Sequence, residues 1–263
     1  MIIMKMPSLF IGHGSPMNVL FDNTYTQHLH KLGNELPLPK AILVISAHWM
    51  TNGTYVCASP MPETIYDFYG FPDELYNITY PCSGLPEIAE LIAEKLKDFK
   101  IKTDKNYGLD HASWAVLKHM YPDANIPVLE MSVDLHKPFQ YHYDVGKALN
   151  FLRDEGVLII GSGNLVHNLR RVDFNDDASP FDWATEADDV FKKLLLEKDI
   201  EKLLNPFSVS KSINLAIPTP DHYIPMLYII GMMQDNDQLS FTHEGIQNGS
   251  VSMRCFMIIE QLK

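Results

Sequence analysis

The chain has 263 residues, 46% of them hydrophobic and 21% charged, with a formal net charge of −12. That balance is the composition of a folded globular protein, and so acidic a chain is expected to take neither nucleic acid nor an anionic membrane as partner. No apolar run reaches the roughly 18–20 residues of a membrane span, and Met1–Pro7 leads directly into a strand-like run without a signal peptide's long apolar region, so a cytoplasmic protein is expected.

In chain order, Leu9–Gly12 reads as a first strand with His13 at its tip and Pro16 ending it. A helix is expected over Asn18–Leu32, opening near Asn18 or Asp22, with His28 and His30 on its surface. Ala41–Ala47 is a continuous apolar run, the pattern of a strand buried on both faces, and it ends in His48 and Trp49. Thr54–Ala58 reads as a further strand. Residues 60–86 form a long loop rich in proline and carrying Tyr66, Phe68, Tyr69, Phe71, Tyr76 and Tyr80. Two readings stand for it: a cover over a pocket for a flat ligand, or aromatic glue holding the loop to the body.

Leu85–Phe99 has helical apolar spacing, and Ser113–Met120 is a second short helix behind Asp110 and His111. Strand Ile126–Val133, helix Phe139–Glu155 and buried strand Val157–Ile160 follow, the last running into Gly161-Ser162-Gly163-Asn164 and His167. Trp183–Glu197 is helical, Asn205–Ile217 carries no clear pattern, and Pro218–His222 opens a helix to about Ile230. Val251–Ile259 is a closing strand. Strands alternating with helices predict an α/β fold with a central, mostly parallel, mixed sheet flanked by helices. Without repeats or linkers, one domain over residues 1–263 is expected.

Three of these strands end alike, at His13, at His48 and at Gly161-Ser162-Gly163 with His167 beyond. In open α/β sheets ligands collect outside the carboxyl ends of the strands. Parallel strands would therefore bring these histidines to one crevice, with His111 and His222 entering from segments that precede helices. Cys57, Cys82 and Cys255 are isolated and odd in number, with no CxxC pair, so any metal falls to histidine and carboxylate. Neutral imidazole suits divalent ions such as Fe²⁺ and Zn²⁺, and histidines left over can move protons at neutral pH. His13 and His48 are read as functional on this basis. Spacing alone leaves His111, His167 and His222 open between a site role and a structural one. Asp110 is a candidate to orient His111, and Asp221 to orient His222 or to join the coordination sphere. His119, His136, His142 and His243 are assigned structural or surface places. The Gly161–Gly163 stretch matches neither a dinucleotide fingerprint nor a P-loop, and no GxSxG elbow is present.

Taken together, Gly-His-Gly-Ser-Pro-Met (12–17), Ser-Ala-His-Trp (46–49), Asp-His-Ala-Ser-Trp (110–114), Gly-Ser-Gly-Asn-Leu-Val-His-Asn-Leu (161–169) and Pro-Thr-Pro-Asp-His-Tyr (218–223) resemble the class III extradiol ring-cleaving dioxygenases. The likeness is to their DOPA 4,5-dioxygenase-type branch and extends over nearly the whole chain. The resemblance implies a non-haem Fe(II) enzyme that opens a catechol such as DOPA with O₂ to a muconic semialdehyde. It implies one divalent ion on His13, His48 and His222, with His111 and His167 as the acid/base pair, or His167 as a fourth metal ligand. The general class III pattern completes its triad with a carboxylate, where this chain has His222 beside Asp221; an all-histidine site suits Zn(II) as well as Fe(II). A zinc-dependent hydrolase or amidase on the same cluster and a non-catalytic metal-binding module are the alternatives. A monomer or small homo-oligomer is expected.

Overall fold

A computed structural model describes residues 5–175 and 178–261, so Met1–Met4, part of the expected lead-in to the first strand, lie outside the described residues. The strands are β1 (Ser8–Gly12), β2 (Ala41–Met50), β3 (Tyr55–Cys57), β4 (Lys102–Asp104), β5 (Val128–Val133), β6 (Val157–Gly163), β7 (Asp237–His243), β8 (Ile246–Gln247), β9 (Val251–Ser252) and β10 (Cys255–Glu260). The helices are α1 (Thr24–Glu35), α2 (Pro86–Lys95), α3 (His111–Met120), α4 (Phe139–Leu149), α5 (Phe151–Asp154), α6 (Asp182–Glu197), α7 (Ile200–Leu204), α8 (Lys211–Ala216) and α9 (Ile224–Gly231).

Eight strands form one sheet in the order β4-β3-β5-β2-β6-β1-β10-β7. Its middle, β5-β2-β6-β1, is parallel, and β10 and β7 extend it antiparallel beyond β1. At the other end β3 runs antiparallel to β5 and parallel to β4, giving the mixed, mostly parallel α/β sheet that the sequence predicts.

The continuous apolar runs have a direct cause. Leu43, Ile45, Ile159 and Phe10 belong to one buried cluster, with α4 and α9 against it. Their strand neighbours Ile42, Val44, Ile160, Leu9 and Ile11 belong to a second cluster that includes Leu29, Leu32 and Trp114 of α1 and α3. Each central strand is covered on both faces, so no position is left for polar residues to alternate.

Several elements depart from the sequence reading. The helix expected from Asn18 is split into a 3₁₀ turn at Pro16–Leu20 and α1, because Asn23 accepts from the Tyr25 and Thr26 amides and Thr26 Oγ1 accepts from the Asn23 amide. That capping box fixes the helix start. The helix expected over residues 139–155 breaks at Asn150 into α4 and α5. The unpatterned stretch 205–217 contains α8, capped by the Ser210 hydroxyl on Ser212 N. The closing strand divides into β9 and β10, and β7 was not expected at all. His28 is half-buried rather than on the surface, its ring stacked on His243 at 5.3 Å between centroids. His142 is fully buried and bonded through Nδ1 to Tyr228 Oη at 3.0 Å, a structural place as expected.

Candidate metal centre

Sheet register brings the histidines to one height. Gly12 lies beside Gly163 and Ser46 beside Ser162, so His13 and His48 flank the end of β6 at the level of Asn164. Gly14 has a positive φ of 65°, which reverses the chain out of β1 and leaves His13 at the turn. His222 arrives from the segment before α9. It reaches the strand ends because a Cβ on Gly163 would lie 2.2 Å from the His222 carbonyl oxygen; only glycine admits that approach. His111 opens α3, and His167 follows β6. All five histidines line one cavity of about 1350 Å³, and the other histidines do not.

Three of them converge. The ligating nitrogens of His13, His48 and His222 lie within 4.8 Å of one another. Each ring has a partner for Nδ1. Ser162 Oγ donates to the Ala112 carbonyl at 2.7 Å, so at 3.1 Å it accepts from His13 Nδ1. Asp67 Oδ2 lies 3.2 Å from His48 Nδ1, and Asp221 Oδ2 accepts from His222 Nδ1. A ring whose Nδ1 carries the proton presents a lone pair at Nε2. His13 Nε2 and His48 Nε2 face one another at 3.2 Å. Two nitrogens about 2.1 Å from a shared ion at ordinary coordination angles stand roughly 3.0–3.4 Å apart. His222 Nε2 is buried with no hydrogen-bond partner among the described residues, a polar orphan that a cation would satisfy. The donor set fits a divalent ion of the Fe²⁺ or Zn²⁺ kind.

Electrostatics favour the neutral, ligating form. Burial, then the neighbouring imidazoles His48 and His222, push His13 well below its ordinary range. Burial and then His167 do the same to His222. Burial, with His111 beside it, lowers His48 to about 4, and burial lowers His167 to about 4.

The remaining two histidines sit beside the trio. His111 is 4.1 Å from His48 between ring centroids, and its Nδ1 lies 2.7 Å from Asp67 Oδ2 while its amide donates to Asp67 Oδ1 at 2.9 Å. Burial would raise the Asp67 carboxyl, but the His111 hydrogen bond and charge outweigh it and hold it below its ordinary value. His167 stacks on His222, 3.6 Å between centroids and 9° from parallel. Its ligating nitrogen groups with Asp221 and His222.

Asp110 corrects the expectation made for it. Its carboxylate caps α3 through Ala112 N and accepts from Ser46 Oγ at 2.6 Å, while Asp67 is the group that orients His111. Asp221 does orient His222, as expected. Sequence spacing gave no sign of Asp67, which lies 44 residues from His111. The aromatic loop divides its side chains between the body and the cavity. Tyr80 is buried and donates to Tyr121 O, whereas Phe68, Tyr69 and Phe71 line the cavity, Phe68 with its ring 5.6 Å from His111. The three cysteines are free and buried.

Residues 8–253 match the family described as the catalytic LigB subunit of aromatic ring-opening dioxygenase. The chain is 46% identical over 253 residues to the 4,5-DOPA dioxygenase extradiol of Escherichia coli (strain K12), which covers 95% of this chain and 93% of the relative. It is 37% identical over 252 residues to the 4,5-DOPA dioxygenase extradiol of Beta vulgaris, with 93% of each covered. A crystal structure of an uncharacterized protein from Escherichia coli K12 matches with a TM-score of 0.84 at 42% identity, over 96% of this chain and 99% of that one. With the fold, the histidine cluster and nearly the full length in agreement, the chain belongs to the LigB family of aromatic ring-opening dioxygenases.

Proposed function

We propose that the protein opens the ring of a catechol such as DOPA beside its hydroxyls, using O₂ and an Fe(II) ion held by His13, His48 and His222. The observation that carries this is the facing of His13 Nε2 and His48 Nε2 together with the orphaned His222 Nε2, each opposite a partnered Nδ1. When bound, the Fe(II) ion supplies Lewis acidity toward the catechol oxygens and the electron transfer that makes O₂ reactive.

The chain supplies the rest. Asp67 keeps the His111 proton on Nδ1, so His111 Nε2 is the base for a catechol hydroxyl. His167, stacked parallel on His222, gives a proton to the departing oxygen as the O–O bond breaks and the ring carbon moves to oxygen. Phe68 and Phe71 give the ring an apolar wall and limit water. Both atoms of O₂ end in the muconic semialdehyde, and no further reductant is needed. We read residues 1–263 as one catalytic domain, because β1 and β10 are neighbours within the same sheet. We place it in the cytoplasm, where Fe(II) and three free thiols stay reduced.

The test is anaerobic reconstitution with Fe(II), followed by a catechol panel with and without O₂. A yellow ring-opened product that requires O₂ is expected. Its absence with every catechol, or ester and amide turnover with Zn(II) instead, would overturn the reading.

A further inference from the structure

The histidine cavity has acidic walls in an acidic chain: Asp22, Asp67 and Asp221 all line it. Asp67 and Asp221 are engaged by histidine nitrogens. Among the described residues lining the cavity, Arg170 is the one lysine or arginine. The chain's buried arginines are paired, Arg153 with Asp237 and Arg254 with Asp188 and Glu244. Arg170 is exposed and takes part in none of the ion pairs among the described residues.

Its position is fixed from below. His167 N donates to Ala216 O at 2.9 Å, Asn168 Nδ2 to Leu215 O at 2.7 Å, and Asn168 N to Ser250 O at 3.3 Å. Asn168 Oδ1 then accepts from Arg170 N at 3.1 Å, closing the short turn that carries the arginine. The step from His167 to Arg170 is thus stapled to α8 on one side and to the β8–β9 hairpin on the other. Exposed Leu169 and Phe174 line the same cavity, so Arg170 stands there with apolar surface beside it. A planar guanidinium in such a setting matches a carboxylate in two parallel hydrogen bonds.

We propose that Arg170 is a specificity-determining residue: it receives a carboxylate on the side chain of the catechol while the ring hydroxyls face the histidines. The proposal rests on the dioxygenase reading above and narrows its substrate to catechols with an acidic side chain. The charge it recognises is one that the surrounding aspartates would otherwise repel.

The experiment compares dihydrocaffeate with propylcatechol, which replaces the carboxylate by methyl at equal chain length, on Fe(II)-loaded protein. Arg170→Gln is expected to lower kcat/KM for dihydrocaffeate relative to propylcatechol by about tenfold or more, chiefly through KM, with Arg170→Lys recovering part of the loss. An unchanged ratio in Arg170→Gln overturns the proposal. A second arm titrates dihydrocaffeate into the metal-free protein and follows tryptophan fluorescence. Weaker binding to Arg170→Gln supports the proposal and equal binding overturns it. Failure of every catechol to be opened would sink the dioxygenase reading, and the binding arm would still decide the role of Arg170.

Discussion

Asp67 touches two histidines at once, His111 at 2.7 Å and His48 at 3.2 Å, and so links the proposed base to a proposed ligand. Removing its charge is expected to act on both. Asp67→Asn should weaken Fe(II) affinity and lower kcat by about 10–100-fold each. His111→Ala should keep its metal and lose about 10²–10⁴-fold in kcat. Metal content by atomic emission alongside steady-state kinetics checks the pair, and loss of metal in His111→Ala would contradict its role as base. The two differ in how far the sequence exposed them. His13 and His48 stand at the ends of apolar runs, where a polar side chain is conspicuous. Asp67 lies inside a long loop, and only the fold carries it to His111: Ile65 N donates to Leu109 O, and Trp114 Nε1 donates to Ile65 O. Asp110, adjacent in sequence, was the natural guess, but a carboxylate just before a helix is better used as its cap.

At the level of elements, strands buried on both faces were readable as uninterrupted apolar runs. β7 was not, because it offers only Leu239 and Phe241 among polar residues at the sheet edge. Short elements such as α8 escaped for a related reason: one helical turn and a half gives no period to detect. The Gly161-Ser162-Gly163 stretch, which matches no phosphate-binding loop, is a contact between β6 and the start of α9. Gly163→Ala should therefore displace the segment that carries His222. About 1–3 kcal/mol of stability should be lost to overpacking, and metal stoichiometry should fall with it. Urea unfolding of the metal-free protein and metal analysis of the loaded one measure these separately; normal values for both would refute the contact's importance.

For the whole molecule, a buried ion pair ties distant parts together. Arg153 of α5 bonds Asp237 of β7 through both guanidinium branches at 2.6 and 2.9 Å, and its Nε donates to Met6 O at 2.8 Å. Burial opposes the Asp237 charge, but the Arg153 hydrogen bond prevails and holds the carboxyl below its ordinary value. A depressed folded value means the stabilisation is full above the ordinary carboxyl range, near about 3.9, and is lost as pH falls through the lower folded value. Asp237→Asn leaves Arg153 buried and uncompensated, at a cost of about 3–5 kcal/mol at neutral pH. Urea midpoints across pH should show the gap between the two proteins closing below about pH 4; a constant gap would contradict the assignment.

The placing of β1 between β6 and β10 also bears on when the protein can acquire its ion. Chains emerge from the ribosome amino end first, so β1, which delivers His13, is out before either of its sheet partners. Its two sheet partners are synthesised far later, and β10 follows every one of the five cavity histidines. A nascent chain can therefore carry the complete donor set while the strand beneath His13 still lacks one edge. Metal capture is expected to wait for β10: a fragment ending at Arg254, just before that strand, should contain every proposed ligand and yet retain no Fe(II) on gel filtration. Stoichiometric retention by that fragment would show that the centre assembles without its final strand.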